Sequence, residues 1–179
     1  FWFLAIANFL VAMSVYVLVP VMPMWLMQDE GFTARDAGLA MGAFGVGMFT
    51  LGGFCSYLVQ RYRRNLVCMD AIVVMVICVS LLGGFFDDEL SFMGKWWIFA
   101  QRILFGAVYG LAEMVLASTL VIDKSSSSMR TEANHSVAWF SRFAVALGPL
   151  CGLLVYWLGG SFRLVVFFSD ACVIASFLL

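Results

Sequence analysis

Apolar and polar residues fall along this chain in long blocks rather than in short periods. Six apolar stretches follow one another, joined by short polar links. The first, 1–27, has no charge. About 20 helical residues already cross the roughly 30 Å hydrocarbon core of a bilayer, so it predicts a spanning helix that tilts or extends past the core. Pro20 and Pro23 lie near its far end, where neighbouring helices can satisfy the carbonyls they leave free. After a polar, acidic link at 28–36 comes a second uncharged run, 37–59, and then a basic link, 60–65. The third run, 66–86, is interrupted only by Asp70, and its link, 87–95, opens with Asp87, Asp88 and Glu89. The fourth, 96–122, contains Arg102 and Glu113; the longest link, 123–135, includes four serines, Ser125 to Ser128, read as a flexible linker. The fifth run, 136–160, contains Arg142; the sixth, 164–179, contains Asp170 and is too short to span. The pattern predicts an all-α membrane protein with one six-helix transmembrane bundle over residues 1–179.

Composition supports lipid as the solvent. Of 179 residues, 64% are hydrophobic and 12% charged, with a mean hydropathy of +1.00. A soluble domain carries about 25% charged residues. The net charge of -1 gives no reason to expect nucleic acid as a partner. Phe1 in place of Met, and a last segment that stops within an apolar run, are read as signs of a fragment. The first run is too long for the apolar region of a signal peptide. Cys55, Cys68, Cys78, Cys151 and Cys172 sit in or beside apolar runs without a CxxC pair, so neither disulfide nor metal is assigned.

Orientation follows from the basic residues. Arg61, Arg63, Arg64, Lys124 and Arg130 occupy the second and fourth links, against Arg35, Lys95 and Arg163 in the odd ones. This bias places the even links, and the N-terminus, in the cytoplasm of a cell (inner) membrane. Trp2 and Trp139 then fall at cytoplasmic ends, and Trp25, Trp96, Trp97 and Trp157 at outer ends, as an interfacial aromatic belt requires. Small residues four apart, Gly38 with Gly42, Gly106 with Gly110 and Gly148 with Gly152, suggest close helix contacts.

The intramembrane charges pose the chemical question. Arg102, Gly106, Tyr109, Gly110 and Glu113 recur at helical spacing and share one face. Arg102 and Glu113 lie about 16 Å apart along the axis, too far to pair. Depth matches Arg102 with Asp170 and Glu113 with Arg142 to about one turn. Such pairs either fix helix registry alone, or Glu113 and Arg142 line a wet cavity where Glu113 exchanges protons or holds a polar substrate. Asp70, near the cytoplasmic end of its helix, is expected to pair with Arg61, Arg63 and Arg64. Asn8, Ser14 and Tyr16 are candidate cavity residues, and His135 is read as an interfacial structural residue.

Three local motifs, taken in order, resemble the major facilitator superfamily of secondary transporters. Residues 52–64 resemble its basic motif between helices two and three, with Gln60 where an Asp is usual and Arg63 where a Gly is usual. Arg61 and Arg64 are the positions that carry over, as a conformational latch with Asp70. Arg102-x3-Gly106-x3-Gly110 resembles the helix-four motif, whose arginine is associated with proton coupling. Gly148, Pro149 and Gly152 resemble the helix-five signature of exporters, with Leu153 replacing its last glycine. The resemblance covers essentially the whole chain as the N-terminal half of a twelve-helix bundle. It implies two six-helix halves rocking about a midplane site, with helices one and four lining the cavity and two and five facing the missing half. It further implies a small-molecule substrate and a proton as coupling ion, with Arg102, Glu113, Arg142, Tyr109 and Asn8 serving substrate or coupling. Pro149 would give helix five a rigid kink. No cofactor or metal is expected. The alternative is a self-contained six-helix protein: a membrane enzyme, a channel or an assembly scaffold. The sequence has no His cluster or GxSxG for an enzyme and no ring of like charge for a channel. Sugars, drugs and peptides all remain open as substrates.

Overall fold

The computed structural model describes residues 2–50, 52–82, 94–116, 123 and 126–179. The acidic link at Asp87, Asp88 and Glu89, the end of the fourth run at 117–122, Lys124, Ser125 and the side chain of Cys55 lie outside the described residues. Among those described, the long elements are all helices and there is no strand. They are α1 (Trp2–Gln28), α2 (Ala34–Thr50), α3 (Gly52–Arg61), α4 (Arg64–Leu82), α5 (Gly94–Met114), α6 (Arg130–Gly159) and α7 (Phe162–Phe177).

Local sequence sets the boundaries. Gly31, with φ of 64°, adopts the left-handed conformation that lets the Phe32 N–H return to the Leu26 carbonyl at 2.9 Å and close α1. Thr33 then caps α2, its hydroxyl accepting from the Asp36 N–H at 3.2 Å. Gly160, with φ of 62°, ends α6, and Ser161 caps α7. The second apolar run, expected as one span over 37–59, is described as two helices, α2 and α3, on either side of Leu51, which lies outside the described residues.

Three of these helices, α1, α4 and α6, are long and apolar enough to cross a bilayer. α2, α3 and α7 are shorter, at 17, 10 and 16 residues. α5 is 21 residues long but includes Lys95, Arg102 and Glu113. The outside of the bundle is as apolar as its interior: Phe49, Trp96 and Trp157 are each about four-fifths exposed. A helix group that is hydrophobic on every side needs a hydrocarbon surrounding.

α1 is the central helix. It packs chiefly on α6 and α7 and also touches α2 and α5; α2 packs on α5, and α4 joins α5 to α7. Glycines make two of these crossings possible. A side chain at Gly47 would fall on the Ile103 backbone, and one at Gly106 on the Phe44 backbone, so α2 and α5 touch main chain to main chain. At the α1–α6 crossing, Gly148 and Gly152 meet Tyr16 and Val17 in the same way. Gly110 faces only the Met48 side chain, and Gly38 and Gly42 face open space, so the first of the three expected glycine pairs makes no close contact.

Polar bonds stitch the remaining seams. The Ser169 hydroxyl donates to the Ser14 carbonyl at 2.7 Å, the Asn8 amide to Ser141, and the Gln101 amide to the Cys78 carbonyl at 2.6 Å. Ring contacts mark two ends. Trp2 meets Phe140 at one end of α1, and Trp25 stacks on Phe162 at the other, centroids 4.3 Å apart. Residues that alternation of the links assigns to the same membrane face therefore do cluster together.

Gly152→Ala is expected to destabilise the purified protein by about 1–3 kcal/mol through overpacking. Gly38→Ala is expected to leave stability unchanged or slightly improved, since its new methyl meets nothing. Thermal unfolding in detergent compares the two.

Candidate functional site

The chemistry gathers on one face of α5, where helical spacing predicts it. The Arg102 guanidinium lies over the rings of Phe44 on α2, at 4.9 Å, and Phe105, at 5.5 Å. It is 2% exposed, and its Nε and Nη1 have no hydrogen-bond partner. Two turns further on, Tyr109 is also buried and packs on Phe44 with centroids 5.6 Å apart. Its hydroxyl lies beside the Glu113 carboxyl group and the Tyr16 hydroxyl of α1. Glu113 and Tyr16 are only half-buried. The face predicted from Arg102, Tyr109 and Glu113 therefore exists, with Gly106 and Gly110 letting α2 lie against it.

The two depth-matched ion pairs do not form. Asp170 on α7 accepts from the Ser80 hydroxyl of α4 at 2.9 Å, and its other oxygen has no partner. Arg102 turns instead toward α2, and α4 lies between α5 and α7. The expected pairing of Arg102 with Asp170 is not made, because their helices do not face each other. Arg142 is exposed beside the Trp139 ring, 5.9 Å from its centroid. Among the described residues no salt bridge joins either pair.

Asn8 is fully buried, with its amide nitrogen on Ser141 and its oxygen unpartnered; Ser14 bonds back to the Val11 carbonyl of its own helix. Gly148 and Gly152 hold α6 against α1, and Pro149 lies inside the continuous α6. His135 is exposed in the second turn of α6.

At the end predicted to be cytoplasmic, Arg64 forms an ion pair with Asp123, and Arg61 donates to the Tyr57 hydroxyl and lies over its ring. Asp70 is exposed and makes no ion pair among the described residues, so the expected link to the arginine cluster is replaced by Asp123. That residue was missed, although its place at the head of the fourth link, on the same side as Arg64, could have signalled it. At the opposite end Lys95 bonds Asp36 at 2.6 Å, tying the start of α5 to the start of α2, and lies over Phe32. The hydrogen bonds from Lys95 and Thr33 hold the Asp36 carboxyl below its ordinary value.

Residues 4–179 match the sequence model of the Major Facilitator Superfamily. Among curated proteins, none matches the chain.

Two outcomes follow from this geometry. Ser80→Ala leaves Asp170 without its one donor and is expected to cost about 1–3 kcal/mol; Asp170→Asn in the same background should recover part of that loss, as read by thermal unfolding. Because the folded-state pKa of Asp36 is depressed, its ion pair stabilises above the ordinary carboxylate pKa. That contribution is lost as pH falls through the lowered value. Melting curves of wild type and Asp36→Asn should therefore differ modestly near neutrality and converge in acid.

Proposed function

Since the chain belongs to the Major Facilitator Superfamily, a family of membrane transporters, we propose that it forms the N-terminal six-helix half of a secondary active transporter. Six crossings, with the N-terminus in the cytoplasm, would pair with a second six-helix half, and the two would rock about a midplane site to move a small solute. In this reading α1 and α5 face the central cavity, and α2 and α6 face the second half. The exposed stripe of α6 that carries Trp139, Phe143, Leu150 and Leu154 suits such a partner.

One observation carries the proposal. Arg102 sits buried within the bundle, with no carboxylate beside it among the described residues and two of its nitrogens unpartnered. Burying a charge without a partner is costly, and such groups inside membranes mark substrate and ion pathways. Two aromatic faces offset part of that cost, by about 2 kcal/mol for a desolvated contact. We assign Arg102 to proton coupling, and Tyr109, Glu113 and Asn8 to the cavity side of α1 and α5. Arg142 belongs to the face that meets the second half, where it can reach the cavity only as the halves move. Arg61, and Arg64 with Asp123, form the cytoplasmic latch; Asp123 supplies the carboxylate absent at Gln60. The resemblance of Gly148, Pro149 and Gly152 to the helix-five signature of exporters favours export by proton antiport.

The full-length protein in proteoliposomes provides the test. Arg102→Ala is expected to abolish gradient-driven transport, a loss on the order of a hundredfold or more for a coupling group, while membrane insertion and thermal stability persist. Gradient-driven transport equal to wild type in that variant overturns the assignment.

A further inference from the structure

α2 and α5 touch main chain to main chain where Gly47 meets Ile103 and Gly106 meets Phe44. Helices that cross at an angle diverge on either side of their contact. Toward the start of both helices a groove of 580 Å³ lies between them. Gly38, Gly42 and Val46 line it from α2, and Trp96, Phe99 and Ile103 from α5. Gly38 and Gly42 keep it open, since a side chain added at either would meet nothing. At its mouth stands the ion pair of Asp36 and Lys95, 2.6 Å apart and partly exposed on both sides. Trp96 stands beside Lys95, four-fifths exposed, and packs on Phe99 with centroids 5.9 Å apart.

Length and polarity both match one leaflet of a bilayer. From Asp36 to Val46 the helical rise is about 15 Å, half of the roughly 30 Å hydrocarbon core. Charge is confined to the mouth, next to a tryptophan of the kind that settles at headgroup level, and the rest of the lining is apolar. We propose that this groove binds a phospholipid from the leaflet opposite the Arg61 and Arg64 end. One acyl chain lies between α2 and α5, and a headgroup with a phosphate and a primary ammonium, as in phosphatidylethanolamine, meets Lys95 and Asp36. The Lys95 ammonium has three N–H donors, enough to serve both Asp36 and a phosphate oxygen. The Asp36 carboxylate has about four acceptor positions and can take a hydrogen bond from the lipid ammonium as well. Each member of the ion pair thus finds its complement in the headgroup. The quaternary ammonium of phosphatidylcholine has no N–H to donate, and phosphatidylglycerol has no cation, so neither answers Asp36. An apolar helix of the second half would answer neither charge, and it would need a surface running the full membrane depth, whereas this groove ends at the glycine crossing. The site requires only that this end of the bundle lie in a bilayer, and it stands apart from the assignment of transport.

The purified full-length protein in mixed micelles provides the test, with phospholipids brominated on their acyl chains as quenchers of tryptophan fluorescence. The Trp96 signal is the difference between wild type and Trp96→Phe. Brominated phosphatidylethanolamine should quench it saturably at low mole fraction, about tenfold more tightly than brominated phosphatidylcholine or phosphatidylglycerol, because its contacts are charge-assisted. Gly42→Leu, whose Cβ meets nothing in the bundle and whose longer side chain fills the groove, should abolish saturable quenching without lowering the melting temperature. Asp36→Asn should erase the preference for phosphatidylethanolamine over phosphatidylcholine while saturable quenching persists. Quenching that only rises in proportion to lipid, ranks the three headgroups equally in wild type, or survives Gly42→Leu overturns the proposal. An unquenched Trp96, with a disulfide formed between Val46→Cys and a cysteine placed in the second half, also overturns it and gives the groove to a protein helix.

Discussion

Hydrocarbon gives apolar helices no reason to cluster, so this bundle depends on how closely its backbones can approach. Where Gly47 and Gly106 meet Ile103 and Phe44, and where Gly148 and Gly152 meet Tyr16 and Val17, the absence of a Cβ lets main chain touch main chain and dispersion accumulate. These crossings also place the chemistry. The first brings Phe44 onto the polar face of α5, under Arg102 and against Tyr109. The second fixes the part of α1 that presents Tyr16 to Tyr109. Packing and site are therefore consequences of the same few glycines.

The interior holds more polar chemistry than its packing needs. Ser14, Ser80, Ser141 and Ser169 act as local fasteners, each satisfied by a backbone or side-chain partner. Asn8, Gln101, Arg102 and Asp170 each keep at least one buried polar atom unpaired. A bundle selected only for stability would have little use for such groups, because each unpaired atom carries a desolvation penalty. They sit on three helices: Asn8 on α1, Gln101 and Arg102 on α5, and Asp170 on α7.

The two ends of the bundle are tied differently from its middle. Lys95 with Asp36 clasps α5 to α2 at one end, and Arg64 with Asp123 clasps the opposite end. Both pairs are substantially exposed and so screened by water and salt, which makes them easy to break and remake. The middle, by contrast, is held by glycine contacts and buried hydrogen bonds that cannot part without leaving voids. A body rigid at its centre and loosely latched at its ends can move as a unit.

Much of this was legible in the residues alone. Block length gave the helical class and the spacing of charges along each helix, because a fixed rise per residue converts sequence into distance along an axis. Periodicity placed Arg102, Tyr109 and Glu113 on one face, and the spacing of Gly148 and Gly152 marked a close crossing. Azimuth between helices was not legible. Arg102 and Asp170 were expected to pair, yet α4 stands between their helices; Arg142 is exposed, and Asp70 yields to Asp123. One helix's sequence specifies which side chains share its face; only the packed bundle decides which neighbour that face meets, since that depends on backbone approach at residues far apart in the chain.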